Sequence, residues 1–255
     1  MSTTRSRSRP APATDRAALL IVGLGSSREG GADPLFAHAA ELRRRGLFAE
    51  IAVGLLTGGP GLAEPLRGLS TPIVYVVPFF MSDGYLAREK LPRLLRALAV
   101  PGQELRLCRP IGTDPRLTPL LEARAVAAGV AAGLDPAAAS LLVAGHGTPA
   151  SSASAEAVKA HVRRLAAGGR FRTVRPGFLQ EAPFLADVLA ASDAPTIVVG
   201  LFAGPGLHAG EDVPRLVAEA RRSVALPILD AGPIGTDPGC ADLIAAAVEA
   251  PWTEW

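Results

Sequence analysis

Short runs rich in Val, Ile and Leu alternate along this chain with longer segments in which apolar residues recur at helical spacing. The strand-like runs fall at 18–23, 49–56, 72–80 and 104–109, then at 140–145, 171–179, 195–202 and 225–230. Helical patterns lie between them, at about 33–45, 61–69, 87–98 and 115–131, then 153–167, 182–191, 210–222 and 237–249. Most of the runs are continuously apolar rather than alternating, which suits a sheet covered on both faces. Their regular alternation with helices makes that sheet parallel. The pattern predicts an α/β fold of two similar lobes, each a small parallel β-sheet flanked by helices.

The second half repeats the first in residues as well as rhythm. PIGTDP occurs at 110–115 and again at 233–238, and Leu91-Pro92-Arg93-Leu94 matches Val213-Pro214-Arg215-Leu216. Glu89 matches Glu211, and His38 in LFAHAAELRRR pairs with His161 in AVKAHVRRLAA. Two copies with so long a period exclude a solenoid. The reading divides the chain into a tail (1–16), a first lobe (17–131) and a second lobe (140–250), with AGLDPAAA near 132–139 as the linker.

Composition and charge narrow the function classes. Of 255 residues 49% are apolar and 20% charged, enough to bury a sizeable core. The formal net charge of +2 comes from the tail, where Arg5, Arg7, Arg9 and Arg16 face Asp15 alone. The rest of the chain is close to neutral, so no nucleic-acid partner is implied. The tail is rich in Ser, Arg and Pro, is expected to be disordered, and lacks the apolar core of a secretory signal. The Ala-rich stretch 123–145 is broken by Arg124, Gly129, Gly133 and Asp135-Pro136, so no membrane span is expected. Cys108 and Cys240 have no partner spacing for a disulfide or zinc and read as buried thiols. A cytoplasmic protein is the expectation.

The candidate chemistry sits where strands meet loops. His146 follows the run 140–145, Glu181 follows 171–179, and His208 lies in the loop after 195–202. In open parallel sheets, ligands gather at such carboxyl ends. Gly145, Gly147, Gly204, Gly206 and Gly210 surround them and permit close ligand approach. Taken singly, each polar residue has a bland reading, as a hydrogen-bonding loop histidine or a helix N-terminal carboxylate. The first copy sharpens them jointly: Leu24 stands for His146, Gly58 for Glu181 and Leu86 for His208. His38 and His161, inside helices in both copies, read as structural. GLGSSREGG (23–31) places Arg28 at the last glycine of a dinucleotide fingerprint, and neither a P-loop nor a GxSxG elbow occurs. No nucleotide cofactor is expected.

With those residues in place, the chain resembles the sirohydrochlorin chelatases, the CbiX/CbiK group of class II chelatases. GHGT (145–148), the Glu181 region and GLHAGEDVP (206–214) carry the resemblance, together with the tandem halves from 17 to 250. It implies ATP-independent insertion of Co²⁺ or Fe²⁺, cobalt ahead of iron, into a tetrapyrrole with eight carboxylates, in cobalamin or siroheme biosynthesis. It also implies that His146 and His208 contact the metal and accept protons, with Glu181 as ligand or relay. Imidazole suits these borderline ions, and neutral histidine can take a pyrrole proton. Gly145, Gly147 and Gly206 would approach the substrate. Arg28 and Arg175 are candidates for its carboxylates, as are Arg88, Lys90 and Arg172, each with a solvated surface role as the alternative. Asp212 and Glu211 read either as supports for the site or as helix N-terminal charges.

Many relatives carry their histidines in the N-terminal copy. Here that copy reads VGLGSS and YLARE, which leaves the first lobe as opposite wall and substrate contact. A tandem chain already holds both lobes, so a monomer is expected. Two other classes stay open at this point: a non-catalytic tetrapyrrole or metal carrier on the same scaffold, and a two-lobed small-ligand binding protein.

Overall fold

A computed structural model describes residues 14–25 and 32–252. The first half forms a four-stranded parallel sheet from β1 (Ala18–Gly23), β2 (Glu50–Leu55), β3 (Ile73–Pro78) and β4 (Glu104–Leu107), in the order β2-β1-β3-β4. The second half repeats it with β5 (Ser140–Gly145), β6 (Thr173–Phe178), β7 (Thr196–Gly200) and β8 (Ile228–Pro233), in the order β6-β5-β7-β8. In register, Ile21 of β1 pairs with Val53 and Val77, and Val143 of β5 pairs with Pro176 and Val199. The last strand lies later than its apolar run suggests. Pro227 precedes it, accepting from the Thr196 N–H, and an irregularity between Val198 and Gly200 carries the pairing on to Pro233.

Among the described residues eight α-helices cover the sheets: α1 (Asp33–Arg45), α2 (Ala63–Arg67), α3 (Leu91–Leu98), α4 (Leu117–Ala131), α5 (Ala153–Gly168), α6 (Leu185–Ala190), α7 (Val213–Ser223) and α8 (Cys240–Ala247). The central strands show why their sequence is continuously apolar. Leu19 and Ile21 of β1 face one cluster while Ala18, Leu20 and Val22 face another, so a two-residue side-chain period is buried on both sides. β5 behaves alike: Leu141 and Val143 point inward, Leu142 and Ala144 outward against α6 and α7.

One core runs through both halves, with Leu19, Leu42, Val77 and Leu117 in the same cluster as Leu141, Val158, Ile197 and Ile244. The helices between the sheets are exchanged. Helix α4 follows the first sheet in sequence yet packs on β7 and β8, with Gly129 so close to Ile197 that a Cβ would stand 2.8 Å from its Cδ1. Arg124 of α4 donates to the Ala231 carbonyl at 2.7 Å and to Thr236 Oγ1 at 3.0 Å. In return α8 packs on α1, where Arg45 pairs with Asp242. Beyond α8, the Trp252 N–H donates to the Leu107 carbonyl at 2.6 Å. Its ring joins the outer core of the first sheet, with the Arg88 and Arg109 guanidiniums 5.2 and 5.6 Å from the ring centre.

His38 and His161, read as structural, join the two halves reciprocally. His38 Nε2 meets the Gly235 carbonyl at 2.8 Å, and His161 Nε2 meets the Gly112 carbonyl at 2.9 Å. Each helix histidine therefore grips the PIGT turn of the other half. Those turns need glycine: a Cβ on Gly112 would fall onto the Met81 backbone, and one on Gly235 onto the Ala203 carbonyl. Burial pushes both imidazoles below their ordinary pKa, so both stand neutral. Burial also pushes the thiols of Cys108 and Cys240 up to about 12, consistent with two inert buried cysteines.

Thr14–Arg16, within the segment expected to lack structure, form a short 3-10 turn whose first carbonyl accepts from the Ala17 N–H. The rest of the tail (1–13) and Trp255 lie outside the described residues. Among the described residues no helix is long and apolar enough to cross a membrane.

Candidate active site

The strand order places the chemistry. Chain connections from β5 and β7 run to opposite sides, so their carboxyl ends border the crevice that a switch in strand order opens. His146 leaves the end of β5, and His208 stands eight residues beyond β7. Their rings meet edge-on at 86°, with centroids 4.5 Å apart.

Each ring is held by its Nδ1. His146 Nδ1 donates to the Gly147 carbonyl at 2.6 Å, and His208 Nδ1 donates to the Asp212 carboxylate at 2.8 Å. Both partners are acceptors, so the Nδ1 of each ring carries a proton, and in the neutral form the lone pair is left on Nε2. Two such nitrogens on adjacent rings can bind a borderline cation or receive two protons.

The local backbone explains both placements. The His146 carbonyl accepts from the N–H groups of Leu179 and Gln180 at 3.1 and 3.0 Å, which pins this loop to the end of β6. Gly147 then turns with φ +65, a left-handed conformation that a side chain resists. A Cβ there would stand 2.8 Å from Phe178 Cβ and from Glu181 Cγ. His208 opens a π-helical turn, His208–Asp212, ahead of α7. Pro214 sits in the first turn of α7 and has no N–H to give Gly210, and the Val213 N–H instead bonds the His208 carbonyl five residues back. The wide turn brings His208 and Asp212 onto one side. Leu86–Lys90, ahead of Pro92, forms the same turn in the first half without a histidine.

Glu181 shares this neighbourhood but is occupied: its Oε1 accepts the Thr148 N–H at 2.7 Å. Among the described residues no three His, Cys, Asp or Glu side chains form a group able to hold a metal. His146, His208 and Glu181 are therefore not a preassembled three-ligand cage. The arrangement is two adjacent imidazoles with a carboxylate that fixes the adjoining loop.

His208 is shared by two hollows. One, of about 320 Å³, lies between the halves and is lined by Gly23, Leu24, Leu35, Phe79, Phe202, Gly206 and Leu207. The other, of about 380 Å³, is lined by Phe178, Gln180, Phe184, Asp187, Asp212 and Arg215. Leu24, Leu207 and Phe184 present unusually exposed apolar surface, 46%, 48% and 44%. Leu24 and Leu207 bring apolar surface to the hollow between the halves and Phe184 to the other, each beside His208, which suits a flat, largely apolar ligand edged with charge.

The remaining sequence candidates fall in several places. Gly145 ends β5, and a Cβ there would run into Val158 of α5, so helix packing accounts for this glycine. The Gly206 carbonyl accepts from the Gly210 N–H at 2.7 Å within the His208 loop. Arg175 lies in mid-strand on the edge strand β6, above a small depression formed with Ser140, Ser192, Asp193 and Thr196, at the amino ends of β5 and β7. Arg172 pairs with Asp193 at the same end, and Arg88 pairs with Asp83 in the first half. The structure thus brings neither Arg172 nor Arg175 to the histidine pair, and Arg28 lies outside the described residues. The cation it does place beside His208 is Arg215, bonded to Glu219 at 2.9 Å and 3.8 Å from Asp212. Its presence in both copies hid it, because only residues that differ between the copies stood out.

Comparison with known proteins agrees with this architecture. The family model described as CbiX matches the chain twice, over residues 18–128 and 140–250. A probable sirohydrochlorin cobaltochelatase of Halobacterium salinarum is 32% identical over 222 residues, covering 77% of this chain and 75% of that protein. A multi-domain protein of Deinococcus radiodurans, described as structurally similar to chelatases, superposes with a TM-score of 0.78 at 27% identity. That match covers 93% of this chain, which spans only 55% of the longer protein. A structure described as CbiX, the terminal enzyme for siroheme biosynthesis in denitrifying bacteria, superposes with a TM-score of 0.70 at 29% identity, covering 92% of this chain and 98% of its own.

Proposed function

The chain belongs to the CbiX family, and from that premise we propose that it is a sirohydrochlorin chelatase, a lyase that inserts a divalent metal into sirohydrochlorin without ATP. The observation that carries the reading is the adjacent pair of imidazoles, each with its Nδ1 tied down.

Metal insertion replaces two pyrrole N–H protons with one dication, so the site must take two protons as it delivers two charges. His146 and His208 supply one basic nitrogen each. Held by the Gly147 carbonyl and the Asp212 carboxylate, they stay aimed without refolding the loops. A cage of three or four protein ligands would retain the metal, whereas an open pair can release it to the macrocycle. The macrocycle lies in the hollow between the halves, against Leu24, Phe79 and Leu207, with its carboxylates toward solvent and the rim. Glu181 acts by holding the Thr148 end of the loop and by placing negative charge near the incoming cation.

Cobalt is the favoured metal, on the name of the Halobacterium salinarum relative, with iron as the alternative. Imidazole itself accepts either ion. One chain suffices, since both walls come from the same polypeptide. The test mixes purified protein with sirohydrochlorin and Co²⁺ or Fe²⁺ under anaerobic conditions and follows the absorption spectrum. Catalysed metallation above the rate without protein is expected. Tight tetrapyrrole binding without metallation by either ion would replace the enzyme with a carrier.

A further inference from the structure

His38 belongs to the first half, yet its contacts lead to the loop that carries His208. The imidazole is 4% exposed, and its Nε2–H donates to the Gly235 carbonyl at 2.8 Å. Gly235 in turn donates its N–H to the Phe202 carbonyl at 2.9 Å and lies flat against the Ala203 carbonyl, where no side chain fits. Phe202 and Ala203 begin the stretch that ends at His208, and both line the hollow between the halves. On its other side, the His38 ring lies 5.4 Å from that of Phe79, a buried residue lining the same hollow. One buried imidazole thus touches a wall of the cleft and, through one glycine, the root of the His208 loop.

His161 is the built-in control. It makes the same contact with the Gly112 carbonyl at 2.9 Å, and the Gly112 N–H bonds the Phe80 carbonyl at 2.9 Å. That strut supports the turn leading to Leu86, where the first half has no histidine. The two struts share fold, burial and the Nε2 contact; His161 is held in addition by Thr118 Oγ1, 2.8 Å from its Nδ1, and the two differ in what stands at the far end.

We propose that His38 is a positioning residue for the chelatase reaction: through Gly235 and the Phe202–Ala203 turn it fixes the His208 loop across the boundary between the halves. The proposal rests on the chelatase reading for its kinetic consequence and on geometry alone for its structural one. A general loss of stability would follow equally from damage to either strut, whereas misplacement of His208 follows from damage to one.

The experiment compares His38→Leu and His161→Leu, which keep bulk and remove the donor, with His38→Gln, which returns an N–H at similar reach. His38→Asn and His161→Asn, too short to reach, serve if the leucine variants do not fold. Well below the melting temperatures, His38→Leu should lower kcat on the order of tenfold relative to His161→Leu, and His38→Gln should restore most of it. The chain has four histidines, so their ring signals can be assigned by NMR in the metal-free protein. Those of His208 should move in His38→Leu and stay in His161→Leu. Equal kcat in the two leucine variants, or unmoved His208 signals in His38→Leu, would overturn the proposal. A wild type that never metallates sirohydrochlorin would instead sink the chelatase reading and leave the NMR comparison to decide this one.

Discussion

Asp212 accepts a hydrogen bond from Nδ1 of His208 at 2.8 Å, across one π-helical turn. The carboxylate fixes both the ring and its tautomer, leaving Nε2 as the working nitrogen. Asp212→Ala removes that acceptor and lets the ring turn and its proton migrate. Metal insertion should fall by roughly 10- to 100-fold while tetrapyrrole binding changes little. Initial rates and tetrapyrrole titrations with the same preparation check both halves of this expectation. An unchanged rate would reduce Asp212 to a charge at the start of α7.

The two histidines are predicted to be jointly required. Because the rings stand 4.5 Å apart and each offers one Nε2, removing either leaves one proton without an acceptor. His146→Ala and His208→Ala should each lower metallation by at least about 100-fold with the tetrapyrrole still bound. The double variant should be scarcely worse than either single one, as expected of groups acting as a unit. Wild-type rates in both single variants would move the chemistry elsewhere.

Gly147 tests whether the loop needs its conformation or merely its flexibility. Gly147→Ala places a Cβ at φ +65 and 2.8 Å from both Phe178 Cβ and Glu181 Cγ. Gly46 has φ +63 and open space around it, so Gly46→Ala suffers the backbone strain alone. Urea unfolding should show a loss of about 1 kcal/mol for Gly46→Ala and more than about 2 kcal/mol for Gly147→Ala. Only Gly147→Ala should also slow metallation, because it pushes Glu181 away from the Thr148 N–H.

Hydrophobic pattern made the fold legible, since β1 and β5 are apolar on both faces and α1 is bounded as its spacing suggests. Duplication made His146 and His208 legible by deleting their counterparts, Leu24 and Leu86. The exchange of α4 and α8 could not be read, because an apolar helix face does not say which sheet it covers. Arg175 and Arg172 were misleading for a related reason. A cation in or near an edge strand can lie at either end of the sheet, and both lie toward the amino ends of the neighbouring strands. The PIGTDP repeat and the helix histidines were visible as separate coincidences. Only the folded chain shows that each histidine grips the other half's turn.

Those grips give stability a pH dependence of definite sign. His38 and His161 are held below their ordinary pKa chiefly by burial, so the native state keeps them neutral where the unfolded chain begins to bind protons, near pH 6.5. Between that value and the lower native one, the unfolded state holds more protons than the native state. Stability is therefore full above about pH 6.5 and declines as pH falls below it, by up to about 1.4 kcal/mol per pH unit for each histidine. Asp237 near His38 and Asp114 near His161 favour the charged rings and oppose burial, while Arg164 reinforces it at His161. The window between pH 6.5 and 5 lies above the ordinary titration of carboxylates, so the histidines dominate the slope there. Urea unfolding of wild type and of the His38→Gln/His161→Gln double variant, at intervals across that window, isolates the effect. The wild type should lose stability as the solution is acidified, and the double variant, whose amides cannot titrate, should lose distinctly less. Parallel slopes in the two proteins would show that the buried imidazoles do not set the acid sensitivity of this fold.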